Sequence, residues 1–330
     1  MAKLRSLAFL AVAAALGACA TSQTDLAVHS AEAGARPWKA QVAEAAFYPQ
    51  NTDECGPAVL AMALTASGRR VAPDDLVSQV MRPGRDGKLM VDLISATRRN
   101  GRLAYPITDI ESLLAELDRG RPVVVLRNTG LSMAPQWRFA LAIGYDLSNK
   151  TINLHTGSTP NGAVRLSTFE SDWKASDYWG VVVLAPGKLP ASPDRTTYLR
   201  AAVGLERAGQ PAAARIAYEA ALTAWPEDLT TLMGLGNVSY KLGNRGDAAR
   251  FFTEAVRAHP QSGDAHNNLA QLLLEQGRLL QATEAVNRAI SLGGPNLAIY
   301  RATRAAIRAA ERNTQEAMLR VRSESVSLPE

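Results

Sequence analysis

One cysteine lies where a helix is expected to begin. Cys55 is followed by Gly56 and Pro57 and then by an apolar run at helical spacing that reaches Ser67. The unpaired N–H groups and the dipole of a helix N-terminus favour the thiolate, which is the nucleophilic form of cysteine. Gln50, five residues upstream, carries an amide that can donate to a developing oxyanion. This arrangement predicts attack on a carbonyl carbon, and the alternative is a small buried thiol at a helix entry.

The second cysteine of the chain, Cys19, ends a leader segment. The leader, MAKLRSLAFLAVAAALGAC, has a basic start, a short apolar core and small residues before the cysteine, as a secretory signal does. Its apolar core is too short for a convincing membrane span. Residues 16–19 resemble the cleavage box of bacterial lipoproteins, which implies a signal peptide over 1–18 and a lipid on Cys19. An ordinary signal cut after Ala18 or Ala20 is the alternative.

The lipoprotein resemblance also predicts the compartment. Ala20, rather than aspartate, follows the cysteine, which in the lipoprotein pattern indicates the outer membrane, with the body facing the periplasm. Several acyl chains on one residue anchor a protein stably. If Cys19 is lipidated, Cys55 has no partner for an intramolecular disulfide in an oxidising compartment. An unpaired cysteine in an exported protein is either buried and inert or kept for its reactivity.

Composition fits a folded protein of two domains. The 330 residues are 47% apolar and 20% charged, and the formal net charge is +5, of which Lys3 and Arg5 contribute two in the leader. The remaining arginines are spread along the C-terminal part instead of forming one cluster. We therefore expect no nucleic-acid partner and a membrane contact through the N-terminal lipid only.

The pattern of elements predicts an α+β domain over 37–190. Residues 19–36 are small and polar and are interpreted as a tether. Four helical patterns follow, beginning near residues 55, 72, 89 and 110, and most end at a glycine. Short β-branched or alternating runs come next, near residues 122, 138, 151 and 179. Helices followed by an antiparallel sheet make an α+β fold.

The C-terminal part repeats itself. A proline-rich stretch near 186–196 marks a boundary, and beyond it three segments align with a period of 34 residues. The aligned positions are glycine at 209, 243 and 277, alanine at 214, 248 and 282, and an aromatic ring at 218 and 252. This pattern resembles the tetratricopeptide repeat, an all-α solenoid of paired helices. It predicts a unit over 195–318 that ends in a capping helix and binds a protein partner on its exposed face.

Two motifs of the α+β domain resemble one peptidase family. Residues 49–64, PQNTDECGPAVLAMAL, are similar to the nucleophile motif of the bacteriocin-processing (double-glycine) cysteine peptidases, which are papain-like. Residues 138–157, RFALAIGYDLSNKTINLHTG, resemble the second motif of that family. The resemblance covers about residues 45–185. It implies a papain-like fold in which Cys55 attacks a peptide carbonyl, Gln50 serves the oxyanion, a histidine moves the proton and a third residue orients the histidine.

The chain departs from the family at both partner positions. Arg138 stands where the family has its histidine, and His155 stands where the orienting residue is expected. A guanidinium does not deprotonate in proteins, so Arg138 cannot serve as a general base. His155 is therefore a candidate base, and a structural histidine on a strand is the alternative. Cell-wall amidases of papain-like fold place a histidine third, but their nucleophile runs Cys-Ser-Gly.

Two functions follow from these residues. The first is an envelope lipoprotein whose cysteine-peptidase domain acts on or binds peptides, with repeats for protein–protein interaction. The second is a catalytically inactive peptidase fold that serves as a peptide-binding or scaffold module, because Arg138 replaces the expected histidine. Whether the chain is an enzyme is left open by the sequence. No cofactor or metal is expected, since the chain has neither a phosphate-binding glycine loop nor a metal-ligand spacing of cysteine and histidine.

Overall fold

A computed structural model describes residues 22–43, 45–49, 55–81 and 89–326, and the side chains up to residue 320. The predicted signal peptide, the lipidation site Cys19 and the oxyanion donor Gln50 lie outside the described residues. Within the described part of the chain, no helix has both the length and the apolar character needed to cross a membrane.

The N-terminal domain is built on one antiparallel sheet. The strands are β1 (Lys39–Gln41), β2 (Leu103–Ile107), β3 (Val123–Asn128), β4 (Trp137–Asp146), β5 (Thr151–Thr156), β6 (Thr159–Arg165) and β7 (Gly180–Leu184). They run in the order β2-β7-β3-β4-β5-β6, and β1 pairs with β4 outside this path. The central strands β3 and β7 are almost wholly buried, which fits their runs of valine.

Helices cover both faces of this sheet. They are α1 (Gln23–Glu32), α2 (Cys55–Ala66), α3 (Asp74–Val80), α4 (Leu89–Arg99), α5 (Ile110–Asp118) and α6 (Leu166–Lys174). Helix α2 lies on one face with α3 and α4 packed against it, and its residues 56–64 are all buried. Helices α5 and α6 lie on the other face, with α1 against them. The predicted α+β domain is confirmed.

The segment expected to be a tether is partly helical. Helix α1 begins at an N-cap, Ser22, whose hydroxyl accepts from the Asp25 N–H at 3.1 Å. Ala27 and Ala31 are buried against the domain. The described residues of 19–36 therefore belong to the folded body. The sequence concealed this, because a helix of mostly polar residues with two small buried alanines has almost no hydrophobic periodicity.

The C-terminal part is a stack of paired helices. These are α7 (Arg195–Arg207), α8 (Pro211–Ala224), α9 (Leu229–Lys241), α10 (Arg245–Ala258), α11 (Gly263–Glu275), α12 (Leu279–Leu292) and α13 (Leu297–Val326). Gly209, Gly243 and Gly277 each have a φ of 70° to 80°, which lets the chain turn between the two helices of a pair. The predicted all-α repeat region is confirmed, and α13 is its last helix.

The two regions share one hydrophobic core. Helix α7 packs against β2 and α4, and one continuous cluster of buried residues extends from the sheet into the first repeats. The proline-rich connection is also held in place. Tyr105 donates to the Ser192 carbonyl at 3.2 Å and accepts from the Asp194 N–H at 3.1 Å. The predicted repeat boundary near 195 coincides with the start of α7, but the repeats do not stand apart from the peptidase-like domain.

Candidate active site

Cys55 is the first residue of α2 and is half-buried. It is a free cysteine, because no disulfide is present among the described residues. The next residue, Gly56, is fully enclosed between two elements. A Cβ atom at Gly56 would lie 2.9 Å from Val80 Cγ1 and 3.9 Å from the Phe139 ring. The glycine therefore allows α3 and β4 to approach the first turn of α2, and this packing fixes the position of Cys55.

The two faces of the sheet can be assigned from single contacts. Directly opposite residues of an antiparallel pair project to the same face, and consecutive residues alternate. Gly180 is opposite Val125, and a Cβ at Gly180 would lie 3.1 Å from Trp173 of α6. Val125 therefore belongs to the α6 face. Phe139, which approaches Gly56, belongs to the α2 face, where its ring meets Trp179 edge-on at a centroid distance of 5.7 Å.

Arg138 leaves the sheet on the α6 face. It lies directly opposite Arg127, and the Arg127 guanidinium bonds Asp172 of α6 at 2.5 Å. Phe139, the next residue of β4, is the one that approaches the first turn of α2. The family's histidine position is therefore occupied by an arginine whose Cβ lies on the same face as a buried ion pair.

His155 lies in β5 opposite Leu141, and it is buried, with 5% of its surface exposed. Both ring nitrogens have backbone partners. Nδ1 accepts from the Asn161 N–H at 3.0 Å, which leaves Nε2 as the protonated nitrogen that donates to the Ala45 carbonyl at 3.2 Å. The ring also meets Phe47 edge-on at 5.2 Å. In this arrangement neither nitrogen is available to take a proton from Cys55.

The environment of His155 also disfavours its charged form. Burial lowers the pKa of the imidazole, and the hydrogen bond to the Ala45 carbonyl opposes this only in part. A neutral ring with one donating and one accepting nitrogen fits the two backbone partners. The described contacts therefore make His155 a link between β5, β6 and the segment that leads toward Cys55.

The remaining described residues supply no second imidazole to this site. His29 lies in α1, on the other side of the sheet, and bonds the Asp25 carbonyl of its own helix at 2.7 Å. His259 and His266 belong to the repeats. No group of three or more metal-ligand side chains occurs among the described residues.

Sequence reasoning missed the partners that hold His155. Ala45 and Asn161 act through their backbone atoms, which carry no sequence signal. The pairing of Arg127 with Asp172 was missed as well, although an arginine inside the apolar run of β3 was a signal for a buried partner.

Family models match both regions of the chain. Residues 42–180 match the model of the Peptidase_C39 like family, and residues 199–261 and 234–296 match the tetratricopeptide repeat model. The fold and these matches define a papain-like peptidase domain joined to a helical-repeat region. The chain carries a C39-like peptidase domain followed by tetratricopeptide repeats, as its motifs predicted.

Several solved structures resemble parts of the chain. A C39-like peptidase from Bacillus anthracis is 17% identical, with 44% of this chain and 97% of that chain covered and a TM-score of 0.37. The peptidase domain of Streptococcus ComA, a bifunctional ABC transporter, is 19% identical, with 43% and 98% covered and a TM-score of 0.36. The Yersinia enterocolitica type III secretion chaperone SycD, in complex with a peptide of the translocator YopD, is 16% identical, with 36% and 93% covered and a TM-score of 0.34. No curated protein sequence matches the chain.

Proposed function

We propose that the chain is a bacterial envelope lipoprotein in which a non-cleaving C39-like domain and the repeats bind peptide or protein segments. The proposal rests on the hydrogen bonds that the His155 ring makes. Both of its nitrogens are bonded to backbone atoms, at 3.0 Å and 3.2 Å, so the one imidazole near the cysteine helix is held as a structural group. Amide cleavage needs a group that takes a proton from the thiol and returns it to the leaving amine.

Arg138 supports the same proposal. The family's proton carrier is a histidine at this position, and an arginine keeps its proton under all working conditions. General acid–base catalysis is typically worth about 10² to 10⁴ in rate. Loss of that contribution leaves a fold that keeps a half-buried thiol but turns over amides poorly.

The repeat region offers a second binding surface. A groove runs along the first helices of successive repeats, α7, α9 and α11. Its lining combines apolar side chains with polar ones, and the polar ones include Glu206, Asn237, Tyr240, Lys241, Asn268 and Glu275. Amide side chains from two repeats, Asn237 and Asn268, bond each other at 3.3 Å. A groove lined by amides and by charges of both signs suits an extended peptide with exposed backbone groups.

The envelope location is proposed from the leader. A lipid on Cys19 would hold the folded body close to a membrane surface, because α1 begins shortly after it. Mass spectrometry of the mature N-terminus tests this part of the proposal directly. A chain that begins elsewhere, or that carries no acyl chains, contradicts the lipoprotein assignment without bearing on the peptidase-like domain.

Peptide cleavage is tested with quenched fluorescent peptides, including sequences with a Gly-Gly pair. We expect the parent chain to show no hydrolysis above that of Cys55→Ser, while peptide binding is retained in both. Arg138→His should stay inactive, because residue 138 projects to the α6 face, away from the helix that begins at Cys55. Hydrolysis that appears only in this variant would identify the missing base as the cause and would contradict that face assignment. Robust hydrolysis by the parent that is lost in Cys55→Ser and in His155→Gln would overturn the proposal.

A further inference from the structure

The hairpin between β3 and β4 ends in a segment without charged residues, which we call the apolar tip. It comprises residues 128–137, NTGLSMAPQW. All of its residues from 131 to 137 are exposed. The large apolar side chains that it presents, with their exposed fractions, are Leu131 (76%), Met133 (94%) and Trp137 (46%). Soluble surfaces rarely concentrate such side chains, and a patch of this kind marks a contact surface.

The tip has a defined structure. The Asn128 side-chain oxygen accepts from the Gly130 N–H at 3.0 Å and from the Gln136 N–H at 2.8 Å. Leu131 and Ala134 form an isolated bridge within the loop. The exposed apolar residues are therefore held outward by the loop's own hydrogen bonds, so they are presented as a fixed surface.

The start of α1 is fixed to the body by hydrogen bonds to Glu170 and Ile110. The Gln23 and Thr24 N–H groups donate to the two carboxylate oxygens of Glu170 at 3.0 Å and 3.1 Å. The Gln23 side chain accepts from the Ile110 N–H at 2.7 Å. The chain therefore enters the described structure at one defined place, beside the first residue of α5 and the middle of α6.

This entry point and the apolar tip lie at the same end of the sheet. Ile107, the last residue of β2, is opposite Gly180, and Gly180 is opposite Val125 in β3. From Val125, β3 runs directly into the tip. From Ile107 the chain turns into α5, whose first residue bonds Gln23. Both features therefore belong to the end of the sheet where β2 and β3 finish.

The distance from the predicted lipid to this end is short. Only two residues, Ala20 and Thr21, lie between Cys19 and Ser22, the N-cap of α1. An extended chain spans at most about 3.3–3.6 Å per residue, so the three steps from residue 19 to residue 22 reach about 10 Å. If Cys19 is lipidated, the end of the sheet that carries the apolar tip must lie against the bilayer surface.

We propose that the apolar tip inserts into the bilayer leaflet that holds the lipid on Cys19, which gives the protein a second membrane contact and a fixed orientation. This inference rests on the lipoprotein assignment of the proposed function. Tryptophan is favoured at the interface between headgroups and acyl chains, and leucine and methionine bury their apolar surface just below it. Trp137 therefore lies at the interface, and Leu131 and Met133 lie deeper.

This orientation has a consequence for the candidate site. Phe139, two residues beyond the tip, contacts the first turn of α2. The helix that begins at Cys55 therefore starts beside the membrane, and the peptide segments that reach it are those held close to the bilayer.

Tryptophan quenching by brominated lipids tests the contact. A chain beginning at Cys19, with Cys55→Ser, is coupled through Cys19 to maleimide-bearing phosphatidylcholine vesicles with brominated acyl chains. Trp38 provides a matched control, because it is 42% exposed and lies beside the opposite end of β4, where its carbonyl accepts from the Leu147 N–H. We expect quenching in the parent that is mostly lost in Trp137→Phe and retained in Trp38→Phe. Replacing Leu131 and Met133 together by aspartate should reduce the quenching by at least half.

The outcomes separate this inference from the proposals on which it rests. Chemical coupling attaches the protein to the vesicle whether or not Cys19 is lipidated in the cell. Lipidation in the cell is measured separately, by mass spectrometry of the native N-terminus. Absent quenching in the coupled parent, or equal quenching in the parent and Trp137→Phe, would overturn the membrane contact. Trp137 emission that responds to added peptide but not to brominated lipid would assign the tip to a peptide cleft and would also overturn it.

Discussion

Gly56 lies so close to Val80 that a Cβ atom on the glycine would be 2.9 Å from Val80 Cγ1. Contacts this short do not occur in folded proteins, so a larger residue at position 56 must displace α3 or the start of α2. Packing against Val80 therefore explains why a glycine follows Cys55, independently of any catalytic role.

This contact predicts the effect of Gly56→Ala. We expect a loss of about 1–3 kcal/mol in the free energy of unfolding, because overpacking a rigid site forces neighbouring side chains out of their preferred rotamers. Urea unfolding measures this loss. Gly56→Ala combined with Val80→Ala should recover part of the lost stability. If Gly56→Ala alone leaves the free energy of unfolding unchanged, α3 shifts at little cost and the packing argument is contradicted.

His155 predicts a pH dependence of stability. Burial lowers its pKa from the ordinary value of 6.5, so the unfolded chain binds this proton at a higher pH than the folded chain does. The contribution to stability is complete above pH 6.5 and is lost as the pH falls from there through the folded-state pKa. His155→Gln keeps one donor and one acceptor without titrating, so the difference in stability between parent and variant should shrink on acidification. A difference that is constant from pH 7.5 to 5 would contradict the neutral, buried state.

Gly236 predicts a second packing effect, in the repeats. A Cβ at Gly236 of α9 would overlap the Phe252 ring of α10. The aromatic ring of one repeat helix therefore packs directly on the backbone of its neighbour. Gly236→Ala should lower the free energy of unfolding by about 3 kcal/mol.

Gly246 is the matched control for that substitution. It lies in α10, and a Cβ there would meet no atom within 4 Å. Gly246→Ala should raise stability by about 0.5–1 kcal/mol, because alanine loses less backbone entropy in a helix. Equal effects of the two substitutions would contradict the packing assigned to Phe252.

The shared core predicts that the two regions unfold together. Tyr198 of α7 is fully buried in the same cluster as the sheet residues, and its hydroxyl donates to the Pro186 carbonyl at 3.1 Å. We expect one calorimetric transition for the full chain, and a lower melting temperature for residues 195–330 alone, which would expose the α7 face. Two separate transitions in the full chain would show that the contact between α7 and β2 is weak.

The sequence predicted the elements with strong periodicity and missed those defined by tertiary contacts. The apolar run after Cys55 and the 34-residue repeat have patterns that few other structures share, and both were predicted within a few residues. Strand β6 was missed because it contains Pro160 and Gly162, residues that are tolerated at a sheet edge but resemble a loop.

The candidate site shows a similar division. The sequence motifs predicted Cys55 as the nucleophile and showed that Arg138 departs from the family pattern. The state of His155 was not, because it depends on backbone atoms of Ala45 and Asn161, and Ala45 is 110 residues away in the chain. No side-chain pattern encodes which carbonyl faces an imidazole.

The ion pair between Arg127 and Asp172 gives the last prediction. The Arg127 side chain is 8% exposed and that of Asp172 is 20% exposed, and the pair joins β3 to α6 directly below the apolar tip. Removal of one partner leaves a largely buried charge without compensation, which is strongly destabilising, whereas apolar replacement of both partners is often neutral. Asp172→Leu should therefore lower the free energy of unfolding by about 3 kcal/mol, and the double variant Arg127→Met with Asp172→Leu should recover most of that loss.

The exposed pair of Arg257 and Glu227, at 64% and 57% exposure, is the control, and Glu227→Gln should change stability by less than about 1 kcal/mol. If the double variant is as unstable as Asp172→Leu, the loss of stability does not come from an uncompensated Arg127 charge. The attraction between the two side chains would then itself stabilise the fold.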